Sequence, residues 1–299
     1  MHKRALTTVR ALVMWRQPGV YMKEVVQTHY TVRINRKNLS RQQIRAVFLT
    51  DLHNAADPEE TRVVMDMIDA AGPDLVLCGG DMFIARPGIP VAPAVRFMKE
   101  LAGRHTVWCG TGNHEYRAKI YPEQYGTMYA QYKYPLLEAG VIFLENQSAA
   151  VRCGDVPVRI CGFDLPRRYY SRFHRSRMPV SVLNSRFGRP DPDEVTVLLA
   201  HNPAQIYAYL KWGADLTCCG HYHGGIMQLA GGRSLVGPDF RLFPRNAHGM
   251  IVKKQRHVVI SAGIGEHTVS ARINNPRELA VIDILVNAPE QARYTGTAD

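Results

Sequence analysis

The sequence lacks any run of about 18 apolar residues, the length that spans a bilayer. Its basic N-terminus, MHKRALTTVRALVMWRQPG, has no charge-free stretch long enough for the apolar core of a secretory signal. No CxxC pair occurs among its six cysteines, and no repeat of fixed period or linker rich in Pro, Gly or Ser marks a domain boundary. Acidic residues are short: 26 Asp and Glu face 37 Lys and Arg, a formal charge of +11. Such an excess favours anionic partners, or simply keeps a surface soluble. What is present is 46% hydrophobic residue content over 299 residues, enough for a sizeable core and against wholesale disorder. Cys78, Cys109 and Cys218 lie in apolar, strand-like runs and read as buried thiols of a reducing compartment.

Strand and helix patterns alternate first. Strand-like runs are expected at Ile44–Thr50, Asp74–Cys78 and His105–Cys109, with helices at Pro58–Ala71 and Val91–Ala102. A helix ending near Ala139 leads to a strand at Val141–Leu144. The second half is richer in strands: 151–152, 158–163, 195–200, 216–219, a hairpin over 249–262 and a final strand at 279–286. This order predicts an α/β fold with two mixed β-sheets packed as a sandwich and flanked by helices. The expected division is an N-terminal extension and lead-in strand over 1–43, one domain over 44–286, and a tail over 287–299. Leu6, Val9 and Val13 share one face of a terminal helix that could rest on a membrane surface, with Arg16 interrupting it.

Five clusters repeat one grammar, an apolar run followed by metal-ligand residue types. They are Asp51-Leu52-His53, Gly80-Asp81, Gly112-Asn113-His114-Glu115, His201-Asn202 and Gly220-His221-Tyr222-His223-Gly224. In sheets built from parallel units such strand ends converge on one edge. Carboxylates and neutral imidazoles suit divalent transition metals. Alternate residues of an extended segment point the same way, so Asp51 with His53, and His221 with His223, can each reach one site. Asp81 has the lone pairs to bridge two cations. Each cluster has a bland reading: a chance D-x-H, a turn at Asp81 or Asn113, a helix cap near His201, core histidines at 221 and 223. Five in fixed order, each after a strand-like run, outweigh those readings together.

These motifs resemble the calcineurin-like metallophosphoesterases, whose set is D-x-H, G-D, G-N-H-[DE], H and G-H-x-H. The resemblance runs from about Ile44 to Ile284 and implies a four-layer αββα fold. GHYHGG, GPDFRLFP, SAGIG and ARINNPRE are similar to one bacterial branch, some members of which act on membrane-lipid or cell-envelope phosphate compounds, including acylated sugar nucleotides. The resemblance implies two divalent metal ions, Mn, Zn or Fe. Asp51, His53 and His223 would hold one, Asn113, His201 and His221 the other, and Asp81 both. His114 would act as general acid or stabilise the transition state, with Glu115 orienting it. Two ions roughly 3.5–4 Å apart would carry a bridging hydroxide that cleaves phosphodiester, pyrophosphate or phosphomonoester bonds. Tyr222 is bulkier than the family's usual Thr or Ala, and Glu115 stands where Asp is common; neither change removes a ligand.

The stretch 167–177, RRYYSRFHRSR, interleaves five arginines with Tyr169, Tyr170 and Phe173, a pattern for phosphate with an aromatic or lipid partner. A second basic patch includes Arg241, Arg245, Lys253, Lys254 and Arg256. The candidate substrate contacts are Asn54, Tyr222, Arg167, Arg168 and Arg272. Three functions compete: a hydrolase of a phosphodiester or pyrophosphate metabolite, free or lipid-linked, a nuclease on single-stranded nucleic acid, and a catalytically silent binding module. A cytoplasmic monomer, either free or peripheral on the inner face of the membrane, completes the expectation.

Overall fold

The computed structural model describes residues 24–170, 177–225, 227–229, 233–236, 247–265, 272 and 274–289. The expected N-terminal helix, residues 171–176 of the Arg-rich stretch, Arg241 and Arg245, the GPDFRLFP loop and the tail beyond 289 lie outside the described residues. Among those described, no helix is long and apolar enough to cross a membrane.

The chain opens with β1 (Val25–Ile34) and β2 (Gln42–Leu49), then α1 (Pro58–Ala71), β3 (Leu75–Cys78), α2 (Ala92–Arg104) and β4 (Val107–Cys109). Helices α3 (Asn113–Ile120), α4 (Pro122–Tyr125) and α5 (Met128–Glu138) lead to β5 (Ile142–Phe143). The second half holds β6 (Gln147–Cys153), β7 (Val156–Gly162), α6 (Ser181–Phe187), β8 (Val195–Leu199), α7 (Ile206–Trp212) and β9 (Leu216–Cys219). After a small hairpin, β10 (Met227–Leu229) and β11 (Arg233–Val236), come β12 (Gly249–Lys253), β13 (Arg256–Ile260) and β14 (Arg277–Val286).

Local chemistry explains the sharpest of these boundaries. In α1 the Asp57 carboxylate accepts from the N–H groups of Glu59 and Glu60, at 3.0 and 3.3 Å, and Pro58 fills the first turn. Gly72 ends the helix at φ 58°, where a Cβ would be strained. Thr61, Val64, Met65, Ile68 and Ala71 form its buried stripe.

One sheet has the order β1-β14-β2-β3-β4-β5 and the other β12-β13-β9-β8-β7-β6. Helices α1, α2 and α5 cover the first sheet through Met65, Ile68, Phe97, Met98, Tyr132 and Leu136. Helices α6 and α7 cover the second through Leu183, Phe187, Tyr209 and Trp212. Phe48, Leu77, Ile160, Val197, Val259 and Ile282 fill the space between the sheets. The layering is therefore α, β, β, α. The six cysteines are buried free thiols.

Strand direction positions the site. β2, β3 and β4 run parallel, so their carboxyl ends lie together. β7, β8 and β9 also run parallel. The five motif clusters follow the ends of β2, β3, β4, β8 and β9, so three come from one sheet and two from the other. β1, from the stretch expected to hold a lead-in strand, pairs along its whole length with β14, at the far end of the chain.

Candidate metal centre

Five of the seven expected ligands have left-handed backbones: Asp51 (φ 57°), His53 (48°), Asp81 (55°), His221 (70°) and His223 (48°). Non-glycine residues rarely sit there, and such strain gathers at functional sites held by their surroundings. The holding groups are visible. Asp51 N–H donates to Gly80 O at 2.9 Å and His53 N–H to Asp81 O at 3.1 Å, tying the ends of β2 and β3 together. His221 N–H reaches the Asp51 carboxylate at 3.1 and 3.2 Å, tying the second sheet to the first. Glycine is required at two contacts: a Cβ on Gly220 would stand 2.1 Å from Asp51 Oδ2, and one on Gly112 would stand 2.2 Å from Asp81 Oδ1.

The donor atoms converge as two linked sets. Asp51, His53 and His223 offer ligand atoms within 4.8 Å of one another, and so do Asp81, His201 and His221. A third grouping, His53, Asp81 and His114, joins them. His53 Nε2 faces His223 Nε2 at 3.1 Å, and His201 Nε2 lies 3.0 Å from Asp81 Oδ2. His201 Nδ1 meets Gly79 O at 3.0 Å; a carbonyl only accepts, so in the neutral ring the lone pair is left on Nε2, which faces the cluster. Asn113 Oδ1 is buried without a hydrogen-bond partner among the described residues. An orphaned buried acceptor one residue before His114 fits a divalent cation.

The electrostatics follow from this crowding. Burial pushes Asp51 up, but the charges of His223 and His201 outweigh it and hold it well below the usual carboxylate range. Burial opposes ionisation of Asp81 likewise, and His201 and His114 reverse the result, keeping it ionised. Burial would lower His201, yet Asp81 and Asp51 carry it up to about 10. His221 is pushed down to about 3, by burial and then by His201. A cation at the site would take the place of the His201 proton, so loading releases protons.

His114 begins the first turn of α3. Its Nδ1 accepts from Ala85 N–H at 2.8 Å, and Arg117 Nη2 lies 3.2 Å from the same nitrogen. Burial lowers its pKa to about 3. At neutral pH it is a neutral ring carrying its proton on Nε2. Glu115 is expected to orient His114; its carboxylate accepts from Asp81 N–H (2.8 Å), Met82 N–H (2.7 Å) and Gly112 N–H (3.0 Å), so it locks two motif loops together.

Arg272, a candidate substrate contact, is 4% exposed, and its guanidinium donates to Ala262 O (2.8 Å) and Gly265 O (2.6 Å) beside the His223 ring. Asn275 Nδ2 donates to His223 O and Gly225 O, both at 2.6 Å. These two residues support the last motif from behind. Asn54 Nδ2 donates to Pro90 O at 3.2 Å, and Tyr222 lies beside His221 with ring centres 5.6 Å apart. Arg167 and Arg168 lie on the turn after β7, stacked over Tyr121 and Tyr169, while Tyr170 on the same turn meets the His221 ring at 5.9 Å. Reading the sequence missed Arg117 and Asn275. The spacing of three from His114 on a helix was a usable signal for the first; Asn275 had none.

The model of the calcineurin-like phosphoesterase family matches residues 44–225. The chain belongs to this family. Its members are metal-dependent phosphoesterases, and the donor clusters above are this chain's candidate ligands. A comparison with curated proteins finds no match. Among solved structures, an archaeal phosphodiesterase is 10% identical over 76% of this chain and 88% of its own, with a TM-score of 0.38. The protein TT1561 of Thermus thermophilus is 10% identical over 75% and 92%, with a TM-score of 0.45. The NAD nucleotidase of Haemophilus influenzae is 12% identical over 75% of this chain and 46% of its own, also at 0.45.

Proposed function

We propose that this protein is a dinuclear metal-dependent hydrolase of phosphate esters. The observation that carries the reading is the pair of linked donor sets, with the orphaned Asn113 oxygen on the residue before His114 in support. Asp51, His53 and His223 would hold one cation, Asn113, His201 and His221 the other, and Asp81 would serve both. When bound, divalent cations neutralise phosphate oxygens and make water more acidic. The chain's own contribution is positioning. Glu115 fixes the Asp81 loop against Gly112, and the His114 Nε2–H is a donor for an oxygen that gains charge as the ester bond breaks. A neutral donor stabilises that oxygen by hydrogen bonding.

The substrate in this reading is a phosphate-bearing anion. Single-stranded nucleic acid is disfavoured by one observation: the faces of Tyr121, Tyr169 and Tyr207 already carry Arg167, Arg168 and Arg177, so bases would have to displace them. The test is metal analysis of purified protein, before and after chelation, with turnover of an aryl phosphodiester on adding back Mn, Zn or Fe. Two bound equivalents with metal-dependent turnover are expected. Protein that loads no metal and turns over nothing overturns the proposal.

A further inference from the structure

We propose that Arg117 is an anion-binding residue of this site, its guanidinium taking a non-bridging oxygen of the substrate phosphate beside His114. The inference rests on the phosphoesterase reading above and adds a residue to it.

Arg117 lies one turn after His114 on α3, with Nη2 at 3.2 Å from Nδ1 and 3.4 Å from Nε2 of that ring. An arginine can only donate. The one ring acceptor, Nδ1, is already engaged by Ala85 N–H at 2.8 Å, so His114 does not satisfy the guanidinium. Arg117 Nε is buried with no hydrogen-bond partner among the described residues. Among the described residues no carboxylate pairs with it, because those nearby are committed. Asp81 faces His201 at 3.0 Å and accepts from His114 N–H at 2.7 Å, and Glu115 binds three backbone N–H groups. Three other arginines show the contrast: Arg277 has Glu60, Arg45 has Asp283, and Arg36 has Asp215 as counter-charge.

A buried guanidinium donor without an acceptor is costly, and proteins retain one where a ligand completes it. The missing partner is an anion small enough to sit against His114, and a phosphate offers the paired oxygens that match the guanidinium fork. His114 shares a donor cluster with His53 and Asp81, so an anion held by Arg117 lies at the reacting centre.

The experiment uses full-length, metal-reconstituted wild type, Arg117→Gln, Arg117→Lys and the exposed control Arg62→Gln. Three quantities are read: affinity for inorganic phosphate by calorimetry, kcat and KM on an aryl phosphate ester, and metal content. Arg117→Gln is expected to weaken phosphate binding on the order of tenfold to a hundredfold, raising KM with metal content unchanged. Arg117→Lys should fall between, and Arg62→Gln should match wild type. Wild-type phosphate affinity in Arg117→Gln overturns the assignment, as does loss of metal in step with activity, which would make Arg117 a support for His114 only. If Arg117→Gln does not fold, Arg117→Lys decides, and unchanged phosphate affinity there also overturns it. A wild type that loads no metal refutes the parent reading; an active wild type with an unaffected Arg117→Gln refutes this inference alone.

Discussion

Replacing Asn113 by Ala should stabilise the metal-free protein and weaken the metal-loaded one. The Asn113 Oδ1 is buried and accepts no hydrogen bond from the described residues. Removing such an oxygen relieves a desolvation cost of about 1–3 kcal/mol. The position opens helix α3, where Ala is also the better helix former by roughly 0.5 kcal/mol. Against this stands a modest packing loss, because the residue is only half-buried. The net expectation without metal is a gain of about 1 kcal/mol. With saturating metal the sign reverses. If Asn113 is a ligand, its loss weakens one site by about 10–100-fold, or ~1.4–2.7 kcal/mol of the stabilisation that binding supplies. The assay is urea unfolding of both proteins with chelator and with excess Mn²⁺. An Ala variant that is less stable without metal, and is stabilised by Mn²⁺ as much as wild type, refutes the reasoning.

Asp81→Asn should cut turnover at least ~100-fold with a loss of bound metal, since that carboxylate belongs to the His201–His221 set and to the His53–His114 grouping that joins it to the other set; normal metal content with full turnover would refute the proposed bridging role. His114→Ala should slow esters with poor leaving groups by about 10²–10⁴ and activated aryl esters far less, because only the poor ones need the Nε2 proton; equal losses on both would refute the role. Glu278, 1% exposed, binds Tyr30 OH (2.7 Å), His248 Nε2 (3.1 Å) and Ala262 N–H (2.7 Å), and so anchors the 261–265 loop that packs on Asp51. Burial opposes its ionisation, but His248 and these bonds bring it to about 2 from an ordinary 4.5, a preference of about 3 kcal/mol at ~1.4 kcal/mol per tenfold. That stability is present above pH 4.5 and lost as pH falls toward 2. His248 loses affinity for its proton through burial and regains more from Glu278, so its share is full below 6.5 and lost as pH rises through the elevated value. Glu278→Gln should therefore lower unfolding free energy most near pH ~6 and flatten its decline toward alkaline pH; parallel pH curves for the two proteins would contradict this.

Much of the architecture was legible because its causes are local. The boundaries of α1 follow from Asp57, Pro58 and Gly72, each at or beside an end of the helix. The 249–262 hairpin follows from two apolar runs around Lys254-Gln255, and the five motif clusters from ligand residues placed just after strand-like runs. Periodicity and capping act over one or two turns, so a linear reading reaches them.

The rest depended on contacts between residues far apart. The sequence by itself determined which residue types could bind metal and that they follow strand ends. Only the tertiary structure decided that His221 N–H closes on Asp51, 170 residues away, and that five candidate ligands are held in left-handed backbone. It also decided that Glu115 holds the backbone of the Asp81 loop and that the Arg272 guanidinium lies against the His223 ring. The physical reason is the same in each case. A charged side chain takes whichever donors or acceptors the folded chain brings to it under burial, and those partners come from other strands and loops whose approach no local pattern encodes.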